Sequence, residues 1–455
     1  MTRSAAIDDV TAYFDSGAFL ADLDRRVAYR TESQTGTPPD LRAYLVDEIA
    51  EAARSLGATP AVLDNPIPGG PPFLLAHRHE SDDLPTVLTY GHGDVVIAEP
   101  RRWRDGLDPW RVTVEKDRWY GRGTADNKGQ HTINLAALAH VLRARGRLGF
   151  NLTILVETGE ESGSPGLREL CRAHRAELAA DVLIASDGPR VAADRPTVFL
   201  GSRGAAVFTL RVPLREGAHH SGNWGGLLRN PATVLAAAVA SIVDQRGRIL
   251  VPALRPPAIP DNVREALRTI PVGGGPADPG VDEDWGEPGL TPAERLIAWN
   301  TVEVLSLAAG NPDTPVGAIP GTAHAHCQLR YVVGTDVDRL VPALRAHLDE
   351  HGFPMVQVEA GLDMRASRSD PDDPWVRFAL DSLARTDPAI PALLPNLGGS
   401  LPNDVFTDDL GLCTVWIPHS YPACSQHAPD EHLLAPLARQ ALRLMTGLFW
   451  DIGDR

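Results

Sequence analysis

The sequence predicts an α/β fold, a mixed sheet flanked by helices with a small α+β domain inserted into it. Three observations predict this. Short apolar runs near 73–77, 86–90, 151–157 and 181–186 alternate with longer stretches of helical periodicity, as strands and helices do in a layered α/β domain. His92, Glu160, Glu161 and Asp187 each fall just past one of those runs, at the strand ends where α/β sheets gather their chemistry. The composition shifts near GSRG (201–204), after which a second strand and helix pattern begins.

Taken in order, residues 8–30 and 40–56 carry helix-like apolar spacing. Residues 127–146 (NKGQHTINLAALAHVLRARG) read as a long helix between strands, and 164–180 as another. Residues 205–212 (AAVFTLRV) alternate as a strand with one polar face should, and 231–244 return to helical spacing. The Pro- and Gly-rich stretch 251–291 reads as irregular surface chain. A strand (326–332), a helix (337–351) and a strand (355–359) complete the insertion. The division expected is a catalytic domain in two parts, 1–199 and 363–455, around an inserted domain at 200–362. No internal repeat or heptad run is visible.

The chain has 455 residues, 43% hydrophobic and 22% charged, which fits a globular protein with a sizeable core. Its formal net charge of −16 argues against nucleic acid or an anionic membrane surface as partner, since both call for basic patches. Cys171, Cys327, Cys413 and Cys424 show no CxxC and no disulfide framework. The start, MTRSAAIDDVTAYF, lacks the apolar centre of a signal peptide, and no apolar run approaches the roughly 18 residues of a membrane span. The expectation is a cytoplasmic protein with reduced thiols.

The chemistry lies in residues far apart in sequence. Glu160 and Glu161 stand side by side after the 151–157 strand; His92-Gly93-Asp94 follows an earlier one; Asp126 sits in YGRGTADNKG (120–129), Asp187 in ASDGP (185–189) and His427 in QHAPDEH (426–432). Each has an ordinary reading alone: a turn, a solvated acid pair, a helix N-cap at Asp126, an Asp-Gly turn at 187–188. Together they are His and carboxylate groups at several strand ends, the ligand types that divalent ions such as Zn²⁺ accept. Two ions about 3.5 Å apart need a shared carboxylate and separate ligands for each. His92 and Asp187 could hold one, Glu161 and His427 the other, with Asp126 between them and Asp94 orienting the His92 imidazole. Five carboxylates carry about −5 and two divalent ions return about +4, which relieves a repulsion that burial makes costly. Glu160 is then spare, placed to take a proton from water and deliver it to a leaving nitrogen. Gly121-x-Gly123 lacks a third glycine, because position 126 is Asp, and neither a P-loop nor an HExxH helix is present.

The segments TYGHGDVV (89–96), WYGRGTADNKG (119–129), ETGEESGSPGL (157–167), SDGP (186–189), HHSGNWGG (219–226), GGSLP (398–402) and HAPDEH (427–432) resemble, in the same order, the metallopeptidase family of aminoacylase, acetylornithine deacetylase, succinyl-diaminopimelate desuccinylase and carnosinase-type dipeptidases. The resemblance implies a dinuclear zinc-exopeptidase-like catalytic domain and two divalent metal ions per subunit, zinc first, with manganese or cobalt as alternatives. It implies ligand roles for His92, Asp126, Glu161, Asp187 and His427, with Asp126 bridging, and Glu160 as general base and acid. It implies that the insertion is a lid through which a homodimer forms, with His220 stabilising the oxyanion in the neighbouring subunit's site. Arg330 and the loop residues Gly399 and Ser400 match groups that grip a substrate carboxylate. Two clues to the small-molecule substrate conflict. Carnosinase-like dipeptidases carry Arg-Glu before Gly-Gly-Ser where this chain has Asn396 and Leu397, which favours an N-acyl amino acid deacylase. DPW (108–110) looks more like a dipeptidase, the alternative. A non-catalytic binding protein on the same fold would be expected to have lost a ligand or the base, and none is lost.

Overall fold

The computed structural model describes residues 2–35, 38–273 and 279–455. The chain divides into two compact units, one formed by Met1–Gly201, Ser369–Pro395 and Pro402–Arg455, the other by Ser202–Arg368 and Asn396–Leu401.

The first unit is built on an eight-stranded mixed sheet. Its strands lie in the order Thr59–Leu63, Phe73–Arg78, Asn151–Glu157, Thr86–His92, Val182–Ala185, Cys413–Trp416, Thr197–Phe199 and Ala392–Leu394. Asn151–Glu157 and Val182–Ala185 are buried along their whole length, which is why they read as unbroken apolar runs. Thr86–His92 runs parallel to Asn151–Glu157 with His92 opposite Glu157. The two strands therefore end level, and the Glu160–Glu161 turn emerges beside His92-Gly93-Asp94. Helix Lys128–Arg145 ends at Gly146, whose φ of +81° caps it in the left-handed region. Leu138, Val141, Phe150, Leu383, Leu442 and Phe449 share one core cluster.

Several boundaries differ from the sequence reading. The 8–30 stretch is two helices, Arg3–Asp15 and Ala18–Val27, separated at Gly17 with φ +83°. The 164–180 stretch is helical only over Leu167–Ala173. The 40–56 stretch contains a π-helical turn, Leu45–Ile49. The strand Thr59–Leu63 was not anticipated; it is a partly exposed edge strand with no buried position.

The second unit carries a four-stranded antiparallel sheet in the order Thr301–Ala309, Thr322–Tyr331, Gly204–Pro213, Gln357–Met364. Thr322–Tyr331 alternates between buried and more exposed positions, so one face meets a core. Phe208, Leu210, Leu235, Ala238, Leu329, Leu344 and Leu348 form that core. Leu235 and Ala238 come from helix Pro231–Ile242, begun by Asn230, whose side chain accepts from Ala232 N at 2.9 Å. Leu344 and Leu348 come from helix Leu340–Glu350. The expected irregular stretch 251–291 contains helix Asp261–Leu267, which buries Val263 and Leu267; its residues 274–278 lie outside the described residues. The segment Asn396–Leu401 joins this unit through Arg203 N, which donates to the Leu397 carbonyl at 3.1 Å. Among the described residues no helix is long and apolar enough to cross a membrane.

Candidate metal centre

All of the acidic and histidine residues singled out at the strand ends belong to the first unit. His92 is the last residue of its strand. The next position is glycine for a steric reason: a Cβ on Gly93 would lie 2.4 Å from the Tyr44 ring. Asp94 then turns back. Its backbone carbonyl lies 3.1 Å from His92 Nδ1 and its carboxylate 3.3 Å, which directs Nε2 outward from the strand. The Asp94 carboxylate also accepts from Glu160 N at 3.2 Å and Glu161 N at 3.1 Å. Asp94 thus ties the two strand-end turns together, a larger part than orienting one imidazole.

Asp126 lies between two groups. Its Oδ1 is 3.0 Å from His92 Nε2, which is itself 3.6 Å from Asp187 Oδ2. Its Oδ2 is 2.9 Å from His427 Nε2, which is 3.1 Å from Glu161 Oε2. Within each triad, His92–Asp126–Asp187 and Asp126–Glu161–His427, one potential ligand atom per residue lies within 4.8 Å of the others. The Asp187 turn is held by its own Gly188 N–H, which donates to Asp187 Oδ1 at 2.6 Å, and by Asn127 Nδ2, which donates to the Ser186 carbonyl at 2.8 Å.

The electrostatics suit a cation. Among the described residues no arginine or lysine pairs with Asp126, Glu161 or Asp187. Glu161 Oε1 is buried with no hydrogen-bond partner, an orphaned acceptor of the kind that folded proteins rarely leave. Burial, with Asp126 adding to it, pushes the Glu161 carboxyl up to about 7, and the same two causes lift Asp187 to about 6. Burial also holds Glu160 well above its usual range; His92 opposes this, and Asp187, Glu161 and Asp126 reinforce it. His427, hydrogen-bonded to Asp126 and Glu161, is raised to about 10. For His92, burial favours the neutral ring, but Asp126 and Asp94 outweigh it and raise the group well above its ordinary value. The cluster therefore draws protons onto both imidazoles and onto Glu160, Glu161 and Asp187, whereas at Asp126 burial is outweighed by the bonds to His427 and His92, which hold the carboxyl well below its usual range. Divalent cations would replace that positive charge, and the imidazole and carboxylate donors fit them.

The remaining predicted residues lie in the second unit. Arg330 Nη1 donates to Ser400 Oγ at 3.1 Å, and its Nε donates to Gln328 Oε1 at 2.9 Å. A Cβ on Gly399 would meet nothing closer than Leu397 at 3.9 Å, so packing does not demand a glycine there. His220 is exposed, and its Nδ1 accepts from Gly222 N at 3.2 Å. Sequence reasoning passed over three residues at the centre. Gln426 Nε2 donates to Asp126 Oδ2 at 2.6 Å. Arg122 and Glu431 form a buried pair at 2.7 Å beside the Asp126 loop. Glu431 lies within the same HAPDEH segment as His427, but an acid there carries no local signal of a partner at Arg122. Cys424 is buried with Ala125, Tyr421 and Leu437 as a packed loop residue.

Comparison with known proteins agrees with this arrangement. The profile of peptidase family M20/M25/M40 matches residues 88–450. The chain is 32% identical over 269 residues to the beta-Ala-His dipeptidase of Mus musculus, covering 55% of this chain and 54% of that one. It is 36% identical over 180 residues to the cysteinylglycine-S-conjugate dipeptidase of Corynebacterium striatum, covering 39% of each. The chain thus spans about half the length, or less, of these curated relatives. Its fold is similar to that of the M20 family metallo-carboxypeptidase Sso-CP2 from Sulfolobus solfataricus, with a TM-score of 0.80 at 23% identity over 96% of this chain and 99% of the other. The match of the family profile across most of the sequence places the chain in peptidase family M20/M25/M40.

Proposed function

We propose that this protein is a metal-dependent dipeptidase, with His92 and Asp187 at one ion, Glu161 and His427 at a second, Asp126 shared, and Glu160 as the proton carrier. One observation carries the reading: a single buried carboxylate, Asp126, presents one oxygen to each of two His/acid groups. Bound there, two divalent ions would polarise a carbonyl and make water acidic enough to attack near neutral pH. Glu160 takes the proton as the water oxygen bonds to the carbonyl carbon. It returns that proton to the nitrogen as the C–N bond breaks, giving a carboxylic acid and an amine. Burial and acidic neighbours give Glu160 the proton affinity this requires. Asp94 holds the Glu160 backbone in place through the bond it accepts from Glu160 N.

Arg330, with Ser400 and Gly399, is proposed to meet the substrate carboxylate, for which a planar guanidinium is suited. His220 is proposed to stabilise the carbonyl oxygen, within its own chain or across a homodimer. Zinc is the ion proposed, although a His/carboxylate donor set also accepts manganese or cobalt.

The curated relatives support a dipeptide substrate over the N-acyl amino acid that Asn396 and Leu397 suggested. Asn396 Nδ2 donates to the Ile297 carbonyl at 3.0 Å and the residue is buried, so it ties its segment to the end of helix Pro292–Ile297 and is weak ground for a deacylase. Turnover of a dipeptide panel, each beside its N-acetylated form, separates the two readings: faster cleavage of the free dipeptides is expected, and preference for the acylated forms would restore the deacylase. Glu160→Gln should keep both metal ions and lose more than about 10²-fold in kcat; near-normal turnover would remove Glu160 from the reaction.

A further inference from the structure

We infer that Glu431, through Arg122, is the positioning residue that sets the separation of Asp126 and His427. The inference rests on the metal-centre reading above. Residues 121–127, between strand Arg118–Tyr120 and helix Lys128–Arg145, carry Asp126 with little ladder of their own, so their buried N–H groups need acceptors from elsewhere. Glu431 supplies them. Its Oε1 accepts from Ala125 N at 2.9 Å and from Asp126 N at 3.0 Å, and both its oxygens lie 3.1 Å from Gly123 N. The Glu431 carbonyl accepts from Gly121 N at 3.0 Å. One residue thus organises the loop from Gly121 to the shared carboxylate.

The same residue is four positions after His427, and Arg122 closes the link. Arg122 Nη1 donates to Glu431 Oε2 at 2.7 Å, and its Nη2 donates to the carbonyl of Ala428, next to His427, at 3.1 Å. Both side chains are about 1% exposed. The guanidinium therefore holds both ends of the 428–431 segment, while the carboxylate holds the backbone of Asp126. Strand Arg118–Tyr120 pairs with His432–Leu434, His432 opposite Tyr120, which brings the two segments side by side. Beyond the end of that ladder the clamp, with Gln426 Nε2 on Asp126 Oδ2 at 2.6 Å, spans the observed 2.9 Å between His427 Nε2 and Asp126 Oδ2. His427, Ser425 and Asp430 all have left-handed backbones, with φ of 59°, 59° and 62°. A non-glycine segment in that region keeps its shape only where its surroundings impose it. A purely structural ion pair would not need to reach two ligand-bearing segments at once.

The test is zinc binding by the full-length chain, followed with a chromophoric chelator, together with amide hydrogen exchange of the metal-free protein. Glu431→Gln keeps the shape and removes the charge; Glu431→Asp keeps the charge and withdraws it. Both should weaken at least one of two zinc equivalents by about tenfold to a hundredfold, the range found for groups that orient metal ligands. Both should also speed exchange at Gly123, Ala125 and Asp126. Leu383→Ala, in the apolar core of the same unit on helix Pro374–Thr386, should lower the melting temperature and leave zinc affinity unchanged. A folded Glu431 variant with wild-type affinity for both ions overturns the inference, as does an equal loss in Leu383→Ala. Should neither Glu431 variant fold, the wild-type exchange pattern decides: slow amides at 123, 125 and 126 are required, and rapid exchange there overturns it. A wild-type chain that binds no zinc sinks the metal centre itself, and the inference with it.

Discussion

Replacing Asp126 by Asn is the sharpest probe of the centre, because one carboxylate faces both His92 and His427. Asparagine has nearly the same shape, so the loop anchored by Glu431 should survive. What disappears is the charge that two cations would share. In the metal-free protein two effects oppose each other: the variant loses charge-assisted bonds to two imidazoles but gains relief from repulsion with Asp187 and Glu161. The absolute melting temperature is therefore a poor readout, and the shift produced by zinc is the right one. A ligand at a hundred times its dissociation constant stabilises the state it binds by about 2.7 kcal/mol. Two such ions add about 5.4 kcal/mol; at about 2 °C per kcal/mol, the low end that suits a large domain, zinc should raise the wild-type transition by about 11 °C. Asp126→Asn should show little of that shift, because each site loses a ligand at once. Differential scanning calorimetry after chelator treatment, with and without added zinc, measures both numbers. A variant that keeps the full shift would mean that the ions, if bound, lie elsewhere.

Three further outcomes follow from particular contacts. Zinc affinity should keep rising with pH from about 6 towards about 10, because His92 is held well above its ordinary value and His427 is raised to about 10, and both must give up protons to bind metal; calorimetry in two buffers of different ionisation enthalpy should show proton release, and its absence would argue against histidine ligands. Asp451 accepts from Arg3, Ser382 and Arg385 at 2.8, 2.6 and 2.8 Å, bonds that outweigh its burial and hold its carboxyl below the usual range. Its contribution is thus present above an unfolded pKa of about 3.9 and fades as pH falls through the folded value. Asp451→Asn should cost about 1–3 kcal/mol at neutral pH, and the gap should close in acid; urea titrations at pH 7 and pH 3 would test this, a constant gap being the adverse result. Gly129→Ala would place a Cβ 1.9 Å from the Thr124 carbonyl oxygen, a backbone clash that should cost about 1–3 kcal/mol or more and, by displacing the Asp126 loop, should shrink the zinc-induced shift.

The strand-end logic was legible because fully buried parallel strands leave continuous apolar runs, and each run of that kind pointed at its carboxyl edge. His92, Glu160, Glu161 and Asp187 were found that way. Register was not legible: nothing local says that His92 faces Glu157 across the ladder, yet that pairing is what sets Asp94 beside the Glu160–Glu161 turn. Thr301–Ala309 was hard to read because a register shift between Val304 and Ser306 separates the alternation of Val302 and Val304 from that of Leu305 and Leu307. The break at Gly17 was readable in principle, since a glycine inside a helical pattern is a candidate stop. The clamp by Arg122 and Glu431 joins positions 309 apart in sequence, and such a pairing has no periodicity to betray it.

These features share one physical cause. A sheet that brings Asp126, Glu161 and Asp187 to its carboxyl edge, with no lysine or arginine paired to them among the described residues, stores repulsion there in the absence of ions. The fold tolerates this by fixing two of the acids at this edge through backbone amides: Asp94 on Glu160 and Glu161, and Asp187 on Gly188. Amides are neutral donors, so they orient carboxylates without cancelling their charge. That leaves the negative potential intact for a cation arriving from solvent through the half-exposed side of His427, whose side chain is 52% accessible. A lysine in the same place would stabilise the empty protein and block the ion. The use of amides rather than ammonium groups at this edge suits the His/acid cluster to divalent cations.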